Sequence, residues 1–220
     1  MRKTHLNFGH DLRFQVVRDG RPLVQTARPG DVERFTAARA LRIGGMNGVS
    51  MGTFDVGGTF DVRCVRPDGS TRWRKSVKNG ITNQGLNKLL NVMFQGATQI
   101  TTWYLDLLAT GATLAASDTY ATHAGWAYTT STNYSNATRP TWAPAASTAQ
   151  SSTNTATVDF TINATCTING IAVVAGSSTK ADVASGSGVL WSTGSFPGGE
   201  QSLVAADTLK VTYTVNASAA

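Results

Sequence analysis

The stretch DTLKVTYTV at 207–215 puts Leu209, Val211, Tyr213 and Val215 on one side of an extended chain and Thr208, Lys210, Thr212 and Thr214 on the other. Only a strand has that period of two, with one face on a core and the other toward water. A helix would scatter the same four apolar residues around its circumference. A strand also needs partners for its backbone, and the chain supplies candidates in WYLDLL at 103–108, TVDFTI at 157–162, TINGIAVV at 167–174 and GVLWSTGSF at 188–196. Gly-, Ser- and Asn-rich turns separate these runs. The pattern predicts a mainly β protein, an antiparallel β-sandwich of jelly-roll-like or immunoglobulin-like class.

Two further features refine this expectation. The pentapeptide GTFDV occurs at 52–56 and again at 58–62. A shift of six residues is even, so either copy presents the same side chains to the same face and either can fill one place in a sheet. From the second copy, Phe60, Val62 and Cys64 alternate with Asp61 and Arg63. RPDGST then turns the chain, and RWRKSV returns with Trp73 and Val77 on one face, which predicts a hairpin. The stretch GITNQGLNKLLNVMFQG instead has helical spacing, with Leu86, Leu89, Leu90 and Met93 in register, Thr82 or Asn83 as cap and Gly96 as terminator. It predicts a single α-helix near 83–95.

Charge divides the chain. Residues 1–45 hold nine Lys/Arg against four Asp/Glu, a net of +5, and the remainder holds ten against nine. Charged residues are 15% of the whole, against about 25% in ordinary globular chains. The reading is a basic N-terminal arm at 1–45 and a near-neutral body at 46–220, divided at GGMNG. Within the arm, Asp19-Gly20 is placed to turn a small hairpin, and Val32, Phe35, Ala38 and Arg39 form a weak helical stripe. A basic arm on a neutral body does not read as a nucleic-acid-binding domain. No apolar run approaches a membrane span, and the N-terminal basic residues are followed by no apolar signal segment. Cys64 and Cys166 lie far apart inside apolar-patterned segments and without a CxxC partner, so they are read as buried free thiols of a protein made in a reducing cytoplasm.

The search for chemistry centres on SDTYATHAGW at 117–126, which gathers an acid, two aromatics and His123. His5 and His10 are remote in sequence, no GxSxG or HExxH occurs, and the glycine-rich GGMNGVSMG and GSGVLW lack phosphate-binding spacing. Asp118 and His123 are therefore assigned to a structural loop. No catalytic residue, cofactor or metal is expected. The Asn-X-Ser/Thr sequons at 133, 136 and 163 follow from Asn/Ser/Thr richness. Trp126, Tyr128, Tyr134 and Trp142, with Trp103 and Tyr104, are read first as anchors of the sandwich and its long loop. The alternative is a sugar-binding aromatic face.

Taken in order, GGTFDVRC, RPDGSTRW, NGITNQGLNKLLNVMF, TTWYLDL, SDTYATHAGW, NYSNATRPTW and DTLKVTYTV resemble a recurrent family of tailed-bacteriophage virion structural proteins. The similarity covers about Phe54 to Val215. The arm and the GTFDV duplication depart from the family pattern. The resemblance implies a non-enzymatic virion protein made in the host cytoplasm, with capsid decoration (cement or head-fibre) favoured and the major capsid protein as partner. A subunit at a threefold junction of such a shell is expected as a trimer. Arg2, Lys3, Arg13, Arg18 and Arg21 are the candidate tether to an acidic capsid face. The rival role is a tail or fibre protein that binds host-surface carbohydrate through Trp126, Tyr128, Tyr134 and Trp142.

Overall fold

The computed structural model describes residues 54–122, 133–180 and 188–219, together with the backbone of two short strands near the N-terminus. The chain divides into two compact units, Met1–Met51 and Gly52–Ala220. In the first, β1 (Val17–Arg18) pairs antiparallel with β2 (Arg21–Pro22), the two strands of the hairpin expected there. The stripe at Val32, Phe35, Ala38 and Arg39 lies outside the described residues.

The second unit is mainly β. It begins with β3 (Phe54–Val65), β4 (Thr71–Lys78), β5 (Gly80–Ile81) and the helix α1 (Asn83–Phe94). It continues through β6 (Trp103–Ala109), β7 (Thr141–Trp142), β8 (Ser151–Thr153) and β9 (Val158–Thr161). The last strands are β10 (Cys166–Ala175), β11 (Val189–Ser195), β12 (Gln201–Leu203) and β13 (Thr208–Ala219). One sheet runs β4-β3-β13-β8 with β9 also on β13, and the other runs β5-β11-β10-β6-β7 with β12 on β10. Every described pairing is antiparallel.

The two sheets close on a shared core. Phe60, Val62, Leu209, Val211 and Tyr213 come from the first sheet, and Leu105, Leu107, Ile171 and Val173 come from the second. The alternation in β13 meets that core as predicted, with Leu209, Val211 and Tyr213 fully buried and Val215 half-buried at the end. Tyr213 is a hub. Its ring stacks on Phe60 at 4.4 Å and meets Trp142 edge-on at 5.0 Å. Its hydroxyl accepts from Asn79 Nδ2 at 2.8 Å and Trp191 Nε1 at 3.0 Å. A buried aromatic ring with a satisfied polar end combines large apolar burial with a fixed orientation.

The duplicated pentapeptide behaves differently from the expectation that one copy or the other fills the strand. β3 is a single twelve-residue strand that takes in both Phe-Asp-Val triplets, and β13 pairs along all of it, from Phe54↔Ala219 to Val65↔Thr208. Because the offset is even, Val56 of the first copy and Val62 of the second share a face. The hairpin to β4 is as predicted, with Phe60 opposite Val77 and Cys64 opposite Trp73. A register shift after Cys64 leaves Arg72 as an extra residue, and its side chain reaches the buried carboxylate of Asp207. Bulges re-aim side chains in this way.

The second sheet is covered on both faces, and this explains why its strands read as nearly continuous apolar runs. Behind the main core, Leu108, Tyr120, Ala172, Val174 and Leu190 form a second buried cluster, with Leu114 and Tyr104 packed on it. Part of the cover is the segment that includes Asp118 and Tyr120. The Asp118 carboxylate accepts from the Ala115 amide at 2.8 Å, and Tyr120 is fully buried. His123 lies outside the described residues.

Candidate assembly surface

Helix α1 starts as its cap residue dictates. Thr82 is extended, and its Oγ1 accepts from the Gly85 amide at 3.0 Å, satisfying one of the first-turn donors. The same hydroxyl donates to the Leu190 carbonyl at 2.5 Å, fixing the cap to β11. Gln84 extends the anchor. Its Oε1 accepts from the amides of Tyr120 and Leu190 at 2.9 and 2.8 Å, and its Nε2 donates to the Gly188 carbonyl at 3.2 Å. Gly85 lies against the β11 backbone so closely that a Cβ there would fall 2.6 Å from the Trp191 carbonyl oxygen. At the other end Gly96, with φ at +65°, terminates the helix as predicted.

Anchored by its first turn, the helix overhangs. Leu89 and Val92 face the sheets across a groove of about 210 Å³ lined by Ile100, Trp103, Trp142 and Trp191. The expected helical stripe does not all go into the core. Leu86, Leu90, Met93 and Phe94 are 36%, 51%, 67% and 75% exposed. At about 100° per residue, Gly85, Leu89 and Val92 define the inward side, and Met93, Leu86, Leu90 and Phe94 follow at roughly 80° to 180° around from Gly85. The apolar arc, about 200° from Val92 to Phe94, is thus about three times as wide as the roughly 60° that faces the sheets. Its signal is in the sequence, since Leu86, Leu89, Leu90, Val92, Met93 and Phe94 are too many for one narrow stripe.

Two residues of the alternative aromatic face, Tyr134 and Trp142, are instead the sandwich anchors of the first reading. Tyr134 is fully buried, its ring edge-on to Phe160 at 5.2 Å, and Trp142 is 6% exposed with its Nε1 donating to the Tyr213 carbonyl at 3.2 Å. Both rings are core anchors, drawn inward because their burial outweighs any gain from a solvent-facing platform. Trp126 and Tyr128 lie outside the described residues, as do Arg2, Lys3 and Arg13. Arg18 and Arg21 face each other in the backbone register of β1 and β2. The thiols are free, with Cys64 buried and Cys166, at the start of β10, only half-buried against the main core.

Two buried polar centres escaped the sequence reading. In the first, Arg139 is fully buried and its Nε donates to the carboxylate of Asp106, also fully buried. Its Nη1 donates to the Tyr120 hydroxyl at 2.7 Å and the Ser177 carbonyl at 2.9 Å. Burial pushes the Asp106 carboxyl up to about 7, with the Arg139 guanidinium pulling the other way. In the second, Asp207 accepts from Arg72 Nε at 2.8 Å and Nη2 at 3.2 Å, from the Val204 amide at 3.0 Å and from the Cys64 thiol at 3.4 Å. Burial works to raise the Asp207 carboxyl, but the Arg72 and Val204 donors outweigh it and hold the group below the usual carboxylate range. Burial, reinforced by Asp207, pushes the Cys64 thiol up to about 12.

Among the described residues there is no cluster of three or more His, Cys, Asp or Glu placed to hold a metal, and no helix long and apolar enough to cross a membrane. Comparison of the chain with protein-family models, with curated proteins and with solved structures returns no match.

Proposed function

We propose that the chain is a non-enzymatic structural protein of a tailed-phage virion, a decoration (cement) protein bound in many copies to the outer surface of the capsid. The observation that carries this reading is the overhanging apolar arc of α1. A solitary protein gains nothing by holding Leu90, Met93 and Phe94 in water, whereas a subunit of an assembly uses such a patch. The ordered run of motifs from Phe54 to Val215 adds the kind of assembly. Copies repeated over a shell reinforce it through many modest contacts, without any single strong one. The basic first 45 residues, net +5, supply a tether for an acidic capsid face. The carbohydrate-binding alternative is weakened because two of its four aromatic residues, Tyr134 and Trp142, are core.

Quantitative staining of virion proteins tests the reading. Hundreds of copies per particle are expected, and a handful, or none, overturns the decoration role. The variant with Arg2, Lys3, Arg13, Arg18 and Arg21 changed to Ser is expected to bind undecorated heads more weakly than the native chain. Its binding is also expected to fall less steeply with salt, because exposed charge attraction is screened within about 8–10 Å.

A further inference from the structure

We infer that the groove beneath α1 is a binding site for a small amphiphile, a single short hydrocarbon chain that carries one anionic group such as a carboxylate. The site is separate from the apolar arc on the outward side of the helix and stands independently of the proposed virion role. Three observations lead there.

The first is the wall. Leu89 and Val92 of α1, Ile100, and the rings of Trp103, Trp142 and Trp191 border about 210 Å³. Trp103 and Trp191 meet edge-on at 6.0 Å. Apolar walls forfeit dispersion contacts where no atom faces them, and apolar space that a fold holds open takes up apolar molecules. The anchor through Thr82, Gln84 and Gly85 fixes the helix on β11, so the groove does not close by a roll of the helix. Its volume lies below the roughly 300 Å³ at which drug-sized sites begin, which suits one short chain rather than a two-chain lipid.

The second is charge, which selects the head group. Among the residues that line the groove, Lys88 is the only charged one and Gln99 the only other polar one. Lys88 Nζ donates to the Thr98 carbonyl at 2.9 Å, which holds the ammonium at the exposed rim beside Gln99. An ammonium has three donors, so two stay available to a carboxylate. No acid lines the groove, and a cationic head would meet Lys88 with nothing to offset it.

The third is a spare donor. Trp142 Nε1 donates to the Tyr213 carbonyl at 3.2 Å, and Trp191 Nε1 donates to the Tyr213 hydroxyl at 3.0 Å. The Trp103 indole N–H has no acceptor among the described residues and is not sealed from solvent. An indole can only donate, so a ligand oxygen suits this wall as it suits Lys88.

The test is titration of the full chain with decanoate, followed by calorimetry and by tryptophan emission, since three of the five tryptophans line the groove. One saturable site is expected, with affinity rising about fourfold per methylene from hexanoate to decanoate. Decyltrimethylammonium is expected to bind more weakly than decanoate. Lys88→Gln should weaken decanoate about two- to fivefold, the range of an exposed ion pair, and leave decanol unchanged. Val92→Trp, which fills the groove, should lose the site, and Met93→Gln/Phe94→Gln, on the outward arc, should keep it. Absence of a saturable decanoate site overturns the inference, as does an undiminished site in Val92→Trp or an equal effect of Lys88→Gln on decanoate and decanol. Loss of binding in Met93→Gln/Phe94→Gln also overturns it, by moving the ligand to the outward arc. A native chain that sediments as two copies and takes up no decanoate has its groove filled by its own partner, which overturns it too. If Val92→Trp fails to fold, the split between decanoate and decanol in Lys88→Gln decides alone.

Discussion

Replacing Arg139 by Met removes one side of a fully buried ion pair and leaves the other in place. Asp106 keeps the Leu107 amide, which donates to its Oδ1 at 2.9 Å, but loses the guanidinium at Oδ2. The Tyr120 hydroxyl and the Ser177 carbonyl each lose a donor as well. Breaking a buried pair from one side costs about 3–5 kcal/mol, because the carboxyl left where water cannot reach must either stay charged without its partner or take up a proton that the unfolded chain releases. For a domain of this size that corresponds to a fall in Tm of about 6–20 °C. Asp106→Asn added to Arg139→Met removes the stranded charge and is expected to restore half or more of the loss. The double-mutant cycle, followed by urea denaturation and circular dichroism, reads the coupling directly.

The same pair gives a dependence on pH with a definite sign. The folded Asp106 carboxyl stands at about 7, above its ordinary value of 3.8. Between those values the folded protein holds the proton that the unfolded chain has released. This group's contribution therefore falls as pH rises from about 4 to about 7 and is level above that. In Arg139→Met the attraction that restrains the carboxyl is gone, so the decline continues above 7. The gap in stability between native and variant is expected to widen from pH 7 to pH 9, and Asp106→Asn is expected to remove the widening. A loss below about 1 kcal/mol, or a gap constant with pH, would refute the account of a stranded buried charge.

Gly170→Ala places a Cβ 2.0 Å from the Gly194 carbonyl oxygen, backbone that cannot step aside, while the same change at Gly57 meets nothing within 4 Å. Urea melts should show Gly170→Ala destabilised by at least about 3 kcal/mol and Gly57→Ala within about 1 kcal/mol of native, and equal midpoints would contradict the packing of β10 on β11. Maleimide labelling of the folded protein at pH 8 should modify Cys166 well before Cys64, since only the thiolate reacts and Cys64 is buried with its thiol raised to about 12. Comparable rates at the two sites would show that the Cys64–Asp207–Arg72 centre opens readily.

The first sheet was legible because one face meets the core and the other meets water. Leu209, Val211 and Tyr213 against Thr208, Lys210 and Thr212 is a pattern with a single reading. The second sheet blurs that signal, since Leu105 and Leu107 enter one core while Asp106 and Leu108 enter another region on the opposite face. The acid inside WYLDLL marked a buried charge, but its partner, Arg139, lies 33 residues away in sequence. Only the topology brings the two together. The strands β5, β7, β8 and β12 are two or three residues long and too short to display a period. Helix α1 was legible from Thr82 to Gly96, but not its attitude, which depends on what lies beneath it.

One glycine accounts for that attitude. With no side chain at residue 85, the first turn of α1 rests on the Trp191 backbone at a distance no Cβ tolerates. That contact selects the side of the helix that faces the sheets, and the helical repeat then places Leu89 and Val92 beneath it. Leu86, Leu90, Met93 and Phe94 are turned outward by the same rotation, while the groove under Leu89 and Val92 keeps the far half of the helix standing off the sandwich. Rolling the helix to bury Leu90 and Phe94 would carry Gly85 out of its contact and press larger side chains against β11. It would also break the bonds from Thr82 to the Leu190 carbonyl and from the Leu190 amide to Gln84. The exposed arc is therefore tied to the anchor, and rolling the helix cannot bury it without dismantling the cap that starts it.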